Sequence, residues 1–380
     1  MKILVAMDSF KGSLSSLELA ESIEIGIKNI YSDAEIIKIP IADGGEGTVE
    51  ALVKGSNGEL IEIIVNNPLM EKINAKYGIM GNKKTAIIEM AQASGLVLVK
   101  KEQRNPMKTT TYGTGELICD AIKKGCREFI IGIGGSATND AGLGMLQALG
   151  YRFLDENKIE LGYGGEILSK VKYIDSSNKI TELEECKFLI ACDVDNPFYG
   201  PNGAAEIYSR QKGATENMVK ELDKGLMDLA QIIKTELKID ISSLSGAGAA
   251  GGLGGGLVAF LKGNLSPGID IILEKMKLEQ KLKGVDFVIT GEGRLDHQTS
   301  MGKAPVGVAR IAKKWNIPVI ALAGGITDEA IETHKNGIDS FFSIINYPIT
   351  LEEAMKKETT KKFIQRNTEE IFRLIKICKN

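Results

Sequence analysis

The feature that most constrains this chain is a repeated unit. A short apolar run ends in a loop of glycines and acids, and a helical pattern follows. Ile3–Met7 ends in Asp8-Ser9-Phe10-Lys11-Gly12, and Glu35–Ile41 ends in Ala42-Asp43-Gly44-Gly45-Glu46-Gly47-Thr48. Each run is the length of one strand, and the residues after it are turn formers. A strand followed by a helix and another strand cannot close as a hairpin. It needs a parallel sheet with helices on its faces. Ser15 and Glu18 have capping-box spacing, and Leu17, Ala20, Ile23, Ile27 and Ile30 follow at helical spacing.

The rhythm returns near the C-terminus. Val285–Ile289, Val319–Leu322 and Phe341–Ile344 read as strands alternating with helices, the first of which runs from Lys303 to Trp315. With the two N-terminal strands they make a five-stranded parallel sheet. The middle of the chain reads differently. Leu60–Val65 and Lys84–Met90 look like a hairpin-like pair. Helices are expected at 114–124, 139–149 and 216–237, and strands at 129–133 and 188–192. The expectation is therefore a discontinuous domain, residues 1–60 and 285–380, with an inserted domain, residues 61–284.

Composition excludes several classes. A hydrophobic content of 43% in 380 residues supports a proper core. A net charge of -3 offers no footprint for nucleic acid. No apolar run approaches the roughly 20 residues that span a bilayer. Met1–Phe10 is interrupted by Asp8 and reads as a first strand rather than a leader. Five cysteines without metal-type spacing suit a reducing, cytoplasmic compartment. With only two histidines, His297 and His334, chemistry must rest on carboxylates, cations, hydroxyls and backbone amides.

Acids recur beside glycines: Asp8, Asp43 and Glu46, then Asp193 and Asp195, then Glu292 and Asp296. In a parallel sheet the carboxyl ends of the strands share one edge, so the loops after the first, second and third core strands should converge there. Two further segments suit phosphate. Gly134-Gly135-Ser136-Ala137-Thr138-Asn139-Asp140 lies between a strand and a helix, and its amides would meet an anion. The run Gly246–Gly256, with Gly251 and Gly252 at its centre, either does the same or lets a helix pack tightly. Neither segment is a Walker A loop or a dinucleotide fingerprint.

Seven segments in order carry a resemblance. They are Asp8–Gly12, Ala42–Thr48, Gly134–Asp140, Cys192–Pro197, Gln211–Ala214, Gly248–Gly254, and Thr290–Asp296 continuing through Gln298-Thr299 and Gly302-Lys303-Ala304-Pro305. Together they resemble the bacterial glycerate kinase family of the type I, glyoxylate/glucarate pathway kind, from Met1 to about Ile345. The resemblance implies phosphorylation of D-glycerate by ATP with Mg2+ at the 2-hydroxyl. It implies a two-domain α/β fold, a flavodoxin/Rossmann-like parallel-sheet domain carrying a large inserted α/β domain, with the site in the cleft between them. Alternatives are a kinase for another small hydroxy acid, an NAD-type dehydrogenase, or a non-enzymatic sugar-acid sensor. A homodimer is compatible with this reading; nucleic-acid and membrane partners are not expected.

Roles follow from what phosphoryl transfer needs, which is positioning and neutralised charge. Arg294 or Lys11 is expected to hold the glycerate carboxylate. Asp193 or Asp296 is expected to act as base. Asp43, Glu46 or Glu292 is expected to hold the metal. Asp8, Ser9, Asp43 and Gln298 are expected beside the substrate. Gly134, Gly135, Ser136, Thr138, Asn139, Asp140, Gly251, Gly252 and Lys303 are expected around the nucleotide.

Overall fold

The computed structural model describes residues 1–42 and 47–379. Asp43 and Glu46, both expected at the site, lie outside the described residues. Two strands open the chain, β1 (Lys2–Met7) and β2 (Glu35–Lys38). Eight follow in the middle: β3 (Glu59–Asn66), β4 (Lys72–Ile79), β5 (Thr85–Glu89), β6 (Glu128–Gly132), β7 (Arg152–Leu154), β8 (Tyr173–Asp175), β9 (Lys187–Ala191) and β10 (Asn264–Ser266). Three close it: β11 (Phe287–Leu295), β12 (Val319–Ile326) and β13 (Ser340–Ser343). The chain divides into one unit of Met1–Asp43 with Ile269–Asn380 and a second unit of Gly44–Gly268. The sequence reading drew these boundaries at 60/61 and 284/285. Helix Thr48–Gly55 belongs to the second unit because Val49 and Val53 pack toward Gly78 of β4.

The first unit is built on a five-stranded sheet in the order β13-β12-β11-β1-β2, and every pair is parallel. From β1 the chain steps to β2 at one edge. It later re-enters at β11, on the other side of β1, and steps outward to β13. The switch point lies between β1 and β11, where such sheets open a crevice at their carboxyl ends. Ile3–Met7 are buried, as a strand covered on both faces requires. Helix Ser16–Lys28 starts at a complete Ser15/Glu18 capping box and buries Leu19, Ile23 and Ile27. It packs against the C-terminal helix Lys357–Lys379, which contributes Phe363, Ile364 and Phe372 to the same core.

One expectation is corrected here. Thr290–Leu295 reads as a loop, yet β11 continues through it. The reason is its neighbour: β12 also continues through Ala323, Gly324, Gly325 and Ile326, and pairs with Glu292, Arg294 and Leu295 in register. Gly291 is needed for this approach, because a Cβ there would lie 1.9 Å from the Leu322 carbonyl oxygen.

The second unit carries a six-stranded mixed sheet, β10-β9-β6-β5-β4-β3. Strands β5, β6, β9 and β10 are parallel, while β3–β4 and β4–β5 are antiparallel. The hairpin partner of β3 is therefore β4, not β5. In β4 the alternation Ile73, Ala75, Tyr77, Ile79 is interleaved with polar residues, so no apolar run marks it. Phe129 and Phe188 stack at 4.8 Å between centroids across β6 and β9. The long helix Glu216–Glu236 buries Val219, Leu222, Leu226, Leu229 and Ile233, an apolar stripe of helical period. Among the described residues no helix is long and apolar enough to cross a membrane.

Candidate active site

In the first unit the site grows from the register of two strands. Met7 pairs with Gly291, so the next residues, Asp8 and Glu292, follow side by side at the switch point, where β1 ends and β11 continues along β12. The Asp8 N–H donates to the Gly291 carbonyl at 2.9 Å, which prolongs the ladder by one step. The Asp8 carboxylate is buried and accepts the Ser9 N–H at 2.6 Å. Beyond it a tight turn is closed by Phe10 and Leu14, which exchange backbone hydrogen bonds at 2.9 and 3.1 Å. Both side chains are buried, so the turn is anchored and Lys11 stands exposed at its tip.

On β11, Glu292 and Arg294 are two apart and share one face of the strand. Glu292 is buried and accepts a hydrogen bond from the Thr299 hydroxyl. Arg294 is 68% exposed, with Nε 3.9 Å from Oδ2 of Asp296. Asp296 caps the short helix His297–Ser300. Its Oδ1 accepts the Gln298 N–H at 2.9 Å, and its own N–H donates to Thr299 Oγ1 at 3.1 Å. Lys303 precedes helix Ala304–Lys313. Asp8, Ser9, Lys11, Glu292, Arg294, Asp296 and Lys303 line one cavity of about 610 Å³, with Gly324 and Gly325 from the end of β12. Of the substrate-side expectations, Gln298 is exposed and is not among the lining residues.

The second unit holds the remaining expected residues. Gly134 and Gly135 are exposed after β6, whereas Ser136, Thr138, Asn139 and Asp140 are buried. Asp140, expected around the nucleotide, is fully buried and braces the interior. Its Oδ2 accepts the Thr111 N–H at 2.8 Å, the Thr111 hydroxyl at 2.9 Å, and the Thr110 hydroxyl and Gly144 N–H at 3.3 Å. Its Oδ1 accepts the Gly142 N–H at 3.2 Å. Burial pushes its carboxyl above the usual range, and the Thr111 and glycine donors oppose the rise. The glycine run also has a packing role. A Cβ on Gly251 would lie 2.1 Å from the Thr138 carbonyl oxygen, and one on Gly252 2.9 Å from Phe198. Gly251 O also accepts the Ala141 N–H at 3.0 Å, so the run is pressed against the first glycine loop.

Asp193 is exposed after β9 and accepts the Gly268 N–H at 3.0 Å. Sequence reasoning quoted Gln211–Ala214 but gave Lys212 no role. Lys212 is 2% exposed, and its ammonium donates to the Ser136 hydroxyl and the Thr138 carbonyl, each at 2.7 Å. Burial pushes its pKa down to about 7, against the pull of the Asp140 charge. The sequence signal was a lysine between glutamine and glycine, which reads equally well as an exposed turn.

For a metal, the donor set at the β1–β11 edge is oxygen-only, in the two buried carboxylates Asp8 and Glu292. Hard oxygen donors suit Mg2+, which takes one or two carboxylates and completes its shell with water and phosphate. Among the described residues no group of three or more His, Cys, Asp or Glu is disposed to hold a metal alone.

Fold and site together define an α/β protein of parallel-sheet type, with a cavity bearing cations and carboxylates at its topological switch point. Comparison with known proteins narrows this. The model of the Glycerate kinase family matches residues 3–376. The chain is 49% identical over 356 residues to glycerate 2-kinase of Escherichia coli (strain K12), covering 94% of this chain and 93% of that one. It is 48% identical over 379 residues to glycerate kinase of Bacillus subtilis (strain 168), covering 100% and 99%. A solved structure titled "putative glycerate kinase 2", from Salmonella typhimurium LT2, superposes with a TM-score of 0.92 at 45% identity, over 100% of this chain and 99% of that one. The chain belongs to the glycerate kinase family.

Proposed function

We propose that this protein transfers the γ-phosphoryl group of ATP to the 2-hydroxyl of D-glycerate. The observation that carries the reading is the single cavity in which Lys11, Arg294 and Lys303 stand beside the carboxylates Asp8, Glu292 and Asp296. A small anionic acceptor and a polyphosphate donor both need cations, and the acceptor hydroxyl needs a carboxylate to take its proton. Family membership supplies the reaction class, and the name of the Escherichia coli relative supports the 2-position.

Arg294 or Lys11 binds the glycerate carboxylate; Arg294 can do so with two parallel hydrogen bonds. Asp296, or Asp193 of the second unit, accepts the proton as the substrate oxygen attacks the γ-phosphorus. The bond from that phosphorus to the bridging oxygen breaks, and ADP leaves. Asp8 and Glu292 would hold Mg2+, with Asp43 and Glu46 as further expected ligands. The ion would neutralise phosphate charge. Gly134, Gly135 and Ser136 remain proposed phosphate contacts, since the glycines are exposed. The five free cysteines support a reducing cytoplasm.

The test is incubation with ATP, Mg2+ and D-glycerate, followed by phosphorus NMR of the product. A 2-phosphoglycerate resonance is expected. A 3-phosphoglycerate resonance would overturn the position, and no turnover would overturn the acceptor.

A further inference from the structure

The 610 Å³ cavity of the first unit has a mixed lining. Lys11, Arg294 and Lys303 bring positive charge to it. Ile344, Ile349, Leu351 and Met355 give it an apolar wall. Glycerate cannot use that wall. It is a three-carbon acid with an oxygen on every carbon, so it has no apolar face to bury. A volume of this size also falls in the range of roughly 300–1,000 Å³ that encloses ligands far larger than glycerate. Of the two substrates a glycerate kinase brings together, one has a broad, flat, weakly polar surface, and that is the purine of ATP.

The wall is fastened to the turn that carries Lys11. The Met355 methyl lies 2.7 Å from where a Cβ on Gly12 would be, so this side chain packs against that turn. The Ser13 and Thr360 hydroxyls are hydrogen-bonded at 2.7 Å, which ties the same turn to the start of the C-terminal helix. Leu351 lines the cavity and is 75% exposed, in a short helix capped by the Thr350 hydroxyl. A single exposed leucine is ordinary, but one that continues an apolar wall into a cation-lined cavity extends a binding surface.

We propose that the apolar wall formed by residues 344–355 is the purine subsite of the nucleotide, with Lys303, and whichever of Lys11 and Arg294 does not hold the glycerate carboxylate, left for the phosphates. This rests on the kinase reading. It moves the base away from the glycine loops of the second unit, where the sequence alone would put the nucleotide.

The experiment is photolabelling of the intact protein with 2-azido-ATP and Mg2+, followed by peptide mapping. Label on residues 344–360, competed by ATP, is expected. Label confined to residues 134–140 or 246–256, or none while the protein turns over glycerate, overturns the subsite. A second measurement uses Ala354→Trp, which fills the wall, and Met355→Gln, which makes it polar. The KM for ATP should rise about tenfold or more in Ala354→Trp and severalfold in Met355→Gln, with the glycerate KM within twofold. A rise in the glycerate KM alone, or an unchanged ATP KM in both variants, overturns the proposal. Because labelling reads adenine binding directly, label on 344–360 without glycerate turnover would sink the acid acceptor and leave the purine subsite standing.

Discussion

The Lys212 ammonium sits 2.7 Å from the Ser136 hydroxyl with almost none of its side chain in contact with solvent. A lysine so placed is costly to keep charged, and its pKa is down to about 7 for that reason. The unfolded chain holds this proton up to roughly pH 10.4. Between these values the unfolded state binds more protons than the folded one, so this group makes stability rise with pH. Lys212→Met removes the titration. The stability of the wild type relative to Lys212→Met should therefore increase by on the order of 2 kcal/mol from pH 7 to pH 9. Denaturant unfolding of both proteins at several pH values checks it; a pH-independent difference would refute it.

Asp140 gathers the Thr110, Thr111, Gly142 and Gly144 donors in the interior. Asp140→Asn keeps the size but turns an NH2 toward donors, leaving some of them unsatisfied. Stability should fall by about 2–4 kcal/mol, since each buried orphaned group costs about 1–3 kcal/mol. Chemical denaturation measures it. If Asp140 faced nucleotide instead, the ATP KM would rise with little change in stability.

Asp296 caps a helix and is also proposed as the base, and one substitution separates the two roles. Asparagine is as good an N-cap as aspartate, so Asp296→Asn should keep the cap bond from the Gln298 N–H and the melting temperature. It cannot take the acceptor proton. Turnover should fall about 10²-fold or more, in line with general-base effects. Asp193→Asn is the matched variant. Near-native turnover in both would remove the base assignment.

Arg294 is bound loosely by the protein itself, at 3.9 Å from Asp296, so its fork is available to a carboxylate. Arg294→Lys and Lys11→Met should raise the glycerate KM by roughly 10- to 150-fold in whichever variant loses the carboxylate contact. Melting curves should barely move, because both side chains are exposed. A stability loss without a KM change in both would defeat the assignment.

Much of the first unit was legible because strands such as Ile3–Met7 show as unbroken apolar runs and the first helix starts at a full capping box. The end of β11 was not. Gly291, Gly293 and the charged Glu292 and Arg294 look like a loop, and only the matching extension of β12 makes them a strand. The acids and cations of this edge were recognisable by type. Their roles were not, since Asp140 and Asp296 are both acids beside glycines, and only burial separates a brace from a cavity wall. Lys212 was the hardest to see. Nothing local distinguishes an interior lysine from one on a surface turn.

The register that sets Met7 opposite Gly291 also has a consequence for synthesis on the ribosome. β1 and β2 emerge first, but their sheet lacks its middle strand until nearly 300 residues have been made. At about 5–20 residues per second, the N-terminal segment waits on the order of tens of seconds for its partner. The whole of Gly44–Gly268 is completed in that interval and has all its own strands. The nascent chain thus carries Asp8 and Lys11 as half of a site and gains the other half only when Glu292 and Arg294 leave the exit tunnel. Long-range pairing of this kind is slow to form. A chain truncated before β11 should therefore leave β1 without one of its two neighbours, an open and aggregation-prone edge.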